Sequence, residues 1–125
     1  MNKVVLAMLP LAALPARAEW LRIVETTTST VVYVDSQTTG KSGDIRKVSE
    51  LHDHKIPLSN FNLSTRFLSE YNCTGKLVRR LQVDEFSEHM AQGRSRSTPV
   101  GKEQPWSSVL PDTATEAVMK FVCDH

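Results

Sequence analysis

The sequence predicts an α+β fold, a small antiparallel β-sheet of about five to six strands with one C-terminal helix packed on it. Three observations lead there. Short β-branched or alternating runs succeed one another from Trp20 to Phe86, with turn residues between them. The one helical signature comes last, from Pro111 to Asp124. The two cysteines, Cys73 and Cys123, fall at the end of a strand run and in that helix, respectively.

The chain opens with the basic start Met1-Asn2-Lys3, then runs apolar from Val4 to Leu14 and reaches Ala16-Arg17-Ala18 before Glu19. A basic start, a short hydrophobic run and a small-x-small site form the layout of a cleaved secretory signal. Residues 1–18 are therefore expected to be removed, leaving 19–125 as a single domain. The apolar run is too short to remain as a membrane-spanning anchor, which needs about 20 residues. No cysteine follows the cleavage site, so the new N-terminus is expected to carry no lipid. The expected destination is the periplasm, the cell surface or the medium. With 15 basic and 14 acidic residues, the chain has no electrostatic bias toward nucleic acid. A domain of this size has a marginal core, and two cysteines in an exported chain usually pair. A bridge closing a loop of about fifty residues contributes roughly 4 kcal/mol on the chain-entropy model. A reactive or metal-binding pair is the rival reading. Neither cysteine lies in a C-x-x-C or beside histidines at zinc-ligand spacing.

Trp20–Glu25 carries Ile23 and Val24 and reads as a first strand. Thr26–Thr30 is a turn whose hydroxyls can bond the local backbone. Val31–Val34 is a second strand completing a hairpin, and Gln37–Gly43, with Gly40 and Gly43, reads as a loop. Ile45–His54 alternates as a third strand before Pro57. Alternation returns over Ser64–Cys73, and Thr74-Gly75 marks a turn. Leu77–Phe86 follows, with Leu77, Arg79, Leu81 and Val83 expected on one face. Met90–Gly101 is polar and glycine-containing and reads as a mobile loop with room for a short sixth strand. Thr113 and Glu116 have capping-box spacing. At about 100° per residue, Glu116, Lys120 and Asp124 form a polar stripe opposite Val118 and Val122.

Few residues point to chemistry. His52 and His54 are two apart on a strand and share a face. They can ligate a metal or a haem iron if a further donor such as His89 approaches. Solvated strand histidines are the simpler reading. Arg79-Arg80 and the Gly93-Arg94-Ser95-Arg96 turn can meet acidic partners, or simply pair with Asp84, Glu85 and Glu88. Tyr71 and Trp106 are either exposed anchors or core residues with a satisfied polar atom. No catalytic motif is present: the sequence lacks G-x-S-x-G, H-E-x-x-H and a phosphate-cradling glycine loop. A catalytic role and a required cofactor are not expected.

The order and spacing of several motifs resemble the surface-adhesin protein E family of exported bacterial domains. The carriers are Glu70-Tyr71-Asn72-Cys73, Arg80-Leu81, Phe86, Met90 and Gly93, then Pro105-Trp106-x-x-Val109-x-Pro111 and Val122-Cys123. Trp20, Tyr33-Val34-Asp35 and Val48–Pro57 fit more loosely. The resemblance implies an antiparallel sheet with its C-terminal helix tied on by a Cys73–Cys123 bridge. It also implies a cell-surface adhesin for host matrix or serum proteins, with haem as an associated ligand. Arg94, Arg96 and Tyr71 are the candidate contact residues, and His52 and His54 the candidate haem or metal residues. A third reading is a structural envelope protein that associates through a sheet edge, as a homodimer or with another protein, since a sheet this small leaves edges open.

Overall fold

A computed structural model of the chain, whose described residues are 18–37, 39–58, 61–100 and 104–124, shows one antiparallel sheet and one helix. The expected signal segment lies outside the described residues up to position 17. The strands are β1 (Trp20–Glu25), β2 (Thr30–Asp35), β3 (Gly40–Ser42), β4 (Ile45–His54), β5 (Ser64–Asn72), β6 (Leu77–Glu88), β7 (Gln92–Pro99) and β8 (Ser107–Ser108). The helix α1 spans Ala114–Asp124. The main path through the sheet runs β1-β2-β4-β5-β6-β7, with β3 paired to β4 and β8 to β6.

Local chemistry fixes these elements. In the β1–β2 turn Thr26 Oγ1 accepts the Thr30 N–H at 3.1 Å, and the Thr26 N–H donates to the Thr30 carbonyl at 2.8 Å. Gln37–Gly43 is not wholly a loop, because Gly40–Ser42 folds back on Ile45–Lys47 as β3. Thr113 caps the helix, its hydroxyl accepting the Glu116 N–H at 3.1 Å. Glu116 returns a bond to the Asp112 N–H at 3.0 Å, one residue earlier than an ideal capping box. Val118 and Val122 are buried as the helical pattern requires, joined by Met119.

The core lies between α1 and one face of the sheet, where Val32, Val34, Val48, Tyr71 and Val78 meet Val118, Met119 and Val122. Register confirms that the sheet residues share a face: Val34 is opposite Glu50, Val48 opposite Ser69, and Tyr71 opposite Val78. The Cys73–Cys123 disulfide closes with Cα atoms 5.7 Å apart and holds the last helical turn at the end of β5. Leu51, Leu81 and Phe86 are also buried. β6 departs from the expected alternation because a bulge leaves Leu81 unpaired: Leu68 faces Gln82 while Ser69 faces Arg80. The extra residue puts Arg80 and Val83 on one face, so Arg79 and Val83 do not share one.

Candidate binding surface

α1 covers only part of its sheet face. The uncovered corner is built from the C-terminal half of β4, the start of β5, the far end of β6 and β7. Its centre is Glu50, fully buried on β4 between Val48 and His52. Arg80 Nη1 donates to Glu50 Oε2 at 2.6 Å, and the Tyr71 hydroxyl donates to the same oxygen at 2.5 Å. His52 Nε2 lies 3.1 Å from Oε1. Burial alone would raise the Glu50 pKa. The Arg80 charge, with help from His52 and the Tyr71 hydroxyl, overrides it and lowers the value from 4.5 to about 2. Burial beside the Glu50 charge pushes the Tyr71 phenol well above its usual pKa.

The guanidinium of Arg80 also bonds Ser69 Oγ at 2.6 Å and lies 4.5 Å from the centre of the Phe67 ring. Phe67 in turn meets the His52 ring edge-on at 4.9 Å. The cluster is a satisfied polar network roofed by an aromatic ring. It matches the buried Glu50 carboxylate with donors on both oxygens where no helix covers the sheet.

Beyond it lies an open rim. Every residue of β7 is exposed. Arg94 and Arg96 both stand over Phe61, at 5.4 and 4.3 Å from the ring centre. Arg96 also reaches Glu85 at 3.3 Å, while Arg94 makes no ion pair among the described residues. The loop carrying Phe61 exposes Ile56 and Leu58 at 67% and 66%. The entry to β7 is tightly specified. Met90 and Ala91 both adopt left-handed backbone, with Asp53 Oδ1 accepting the Met90 N–H at 2.8 Å and Ser64 Oγ the Ala91 N–H at 3.0 Å. Gly93 has φ +83°, and a Cβ there would sit 2.3 Å from Ser87 Oγ, so any other residue would be strained and would have to displace Ser87.

The structure sorts the candidate residues differently from the sequence reading. Arg94 and Arg96 fall together on the rim, on the eight-residue strand β7, where a mobile loop with room for a short strand was expected. Tyr71 is no part of that surface. It is fully buried, because its alternation places it under α1 and its hydroxyl is spent on Glu50. Trp106 is half-buried, with the Arg79 guanidinium 4.2 Å from its ring centre. Arg79 pairs with Glu70 and Arg80 with Glu50, across the sheet and not with the acids near them in sequence.

His52 and His54 do share a face. His54 is buried, its Nδ1 3.1 Å from Thr30 Oγ1 and its Nε2 3.0 Å from Thr65 Oγ1. Burial and the neighbouring His52 lower its pKa below 6.5. His89 does not join them, because it lies against Asp53, whose side chain leaves the other face of β4. No three His, Cys, Asp or Glu side chains gather as a metal site among the described residues. Glu50, Phe61 and Phe67 were missed by sequence reasoning. The one available signal was an acid placed inside the apolar pattern of a central strand.

These features define a class: a small antiparallel-sheet binding domain with a disulfide-docked helix and a cationic, aromatic rim. The family model for surface-adhesin protein E matches residues 20–124, and the chain belongs to that family. The fold is similar to solved structures of Haemophilus influenzae protein E. Its crystal form II aligns with a TM-score of 0.68 at 18% identity, covering 94% of this chain and 97% of that one. A second structure of the same protein aligns with a TM-score of 0.65 at 19% identity, covering 87% and 86%. No curated protein sequence matches. Membership makes the chain an adhesin-like binding protein of an exported, surface-exposed family. No helix among the described residues is long and apolar enough to cross a membrane.

Proposed function

We propose that this protein is an exported, soluble adhesin-like domain that binds a host matrix or serum protein through the β7 rim. The observation that carries the reading is the seating of Arg94 and Arg96 over Phe61 on a strand exposed along its whole length. A guanidinium held on an aromatic face has already lost much of its rotamer freedom, and its N–H edge stays available to a partner carboxylate. The rim therefore presents two ordered cations beside exposed aliphatic side chains. Ordered cations and apolar anchors are what a protein interface uses for selectivity and affinity.

Titrating the purified protein against a panel of immobilised matrix and serum proteins tests the reading. Binding by the wild type, weakened about tenfold or more when Arg94 and Arg96 are both changed to glutamate, is the expected result. Failure of the wild type to bind any member of the panel at micromolar concentration removes the adhesin assignment.

A further inference from the structure

We infer that the open edge of β7 takes an extended acidic segment of the partner protein as an additional strand of the sheet. The inference rests on the adhesin reading above and specifies the mode of contact and the chemistry of the segment. β7 ends the strand order, and no described residue pairs with its outer side. Its inner side is fixed by register, with Val83 opposite Thr98 and Glu85 opposite Arg96. The Val100 N–H continues that ladder, donating to the Leu81 carbonyl at 2.9 Å. In an antiparallel ladder, successive residues turn their main-chain groups alternately inward and outward. Val100, Thr98 and Arg96 therefore face β6, and Ser97 and Ser95 present N–H and C=O outward. Pro99 offers an outward carbonyl only. The Arg94 N–H is already taken by Ser87 Oγ at 2.8 Å.

Side chains on the edge select what can be added. Arg94 and Arg96 are two apart and leave the same face, which is the face where Phe61 supports them. A strand with acids at alternate positions sets carboxylates across from both arginines, a favourable cross-strand pairing. A second copy of β7 would instead gather four arginines on one face, where like charges oppose each other. Charge thus guards the edge against self-association and leaves it open to an acidic strand.

The probe is a synthetic peptide alternating Glu and Thr. Its controls are the same peptide with Lys for Glu, and the Glu peptide N-methylated at alternate amides in each of the two phases. Backbone amide NMR follows the titration. Strand addition predicts that the Glu peptide slows hydrogen exchange at Ser95 and Ser97 about tenfold and leaves Arg96 and Thr98, already bonded to β6, unchanged. The Lys peptide and one of the two N-methylated peptides should fail to bind. Ser95→Pro removes an outward N–H without touching the ladder to β6, so it should weaken the Glu peptide about tenfold at unchanged melting temperature. Equal binding of both methylated peptides, or exchange that does not slow at Ser95 and Ser97, overturns strand addition. Matrix-protein binding that persists in that case leaves the adhesin reading standing. Self-association of the free protein that Ser95→Pro abolishes assigns the edge to a second copy and overturns the inference.

Discussion

Changing Arg80 to methionine tests the account of the buried cluster most directly. Methionine keeps the length and apolar stem that lie against Phe67 and removes the charge 2.6 Å from Glu50. Glu50 then keeps only the Tyr71 hydroxyl and His52 as partners while remaining fully buried. Breaking a buried ion pair from one side costs about 3–5 kcal/mol. The depressed Glu50 pKa points the same way: a fall from 4.5 to about 2 corresponds to roughly 3 kcal/mol of net preference for the charged form, to which Arg80, His52 and Tyr71 contribute together against burial. Against a total of about 5–15 kcal/mol, the loss is readily visible in urea denaturation at neutral pH. The sign with pH follows. Because the folded pKa is depressed, the Glu50 contribution is complete above pH 4.5 and disappears as the pH falls toward 2. Without Arg80, burial raises the carboxyl instead, so the deficit of the variant narrows on acidification. Adding Glu50→Gln should recover part of the loss. A single variant within 1 kcal/mol of wild type at neutral pH, with an unchanged acid profile, refutes the reasoning.

Three further outcomes follow from the fold. Cys73→Ser should lower stability by about 4 kcal/mol, read by thermal and urea unfolding, and an unchanged melting temperature would show that the bridge does not staple α1. His54 has a lowered pKa, so its contribution is complete above pH 6.5 and is lost as pH falls through the folded value. His54→Asn should flatten that part of the stability profile. Thr113→Ala removes the hydroxyl that accepts the Glu116 N–H and should cost about 1 kcal/mol by urea denaturation.

The legible parts of the fold were those set by short-range pattern. β4 begins and ends at Ile45 and His54 as alternation and Pro57 indicate, and the buried pair Val118 and Val122 follows from helical spacing. The disulfide was legible because compartment and cysteine count leave little else for Cys73 and Cys123. What was not legible depends on the sheet's lateral order. β7 has no apolar alternation, since an edge strand with both faces in water needs none, and its Arg94, Ser95 and Arg96 read as loop. The bulge at Leu81 cannot be seen in β6 alone, because it is a mismatch between two strands. Arg79 and Arg80 were matched to nearby acids, whereas register brings Glu70 and Glu50 to them from nine and thirty residues away.

Tyr71 shows why architecture and binding separate in this molecule. Its ring belongs to the core under α1, its hydroxyl reaches the buried Glu50 cluster, and Cys73, in the turn just past the end of the same strand, ties down the helix. Core, cluster and staple thus meet along β5 and the turn that follows it, and each supports the others. β7 lies outside that arrangement. None of its residues is buried, and its side chains touch the scaffold chiefly through Phe61, Glu85 and Asp84, while the Arg94 backbone N–H donates to Ser87 Oγ. Substitutions on its outward positions should therefore cost little stability, within about 0.5 kcal/mol. Arg96 does pair with Glu85, so loss of binding in Arg94 and Arg96 variants reports on the interface when their melting temperature matches the wild type.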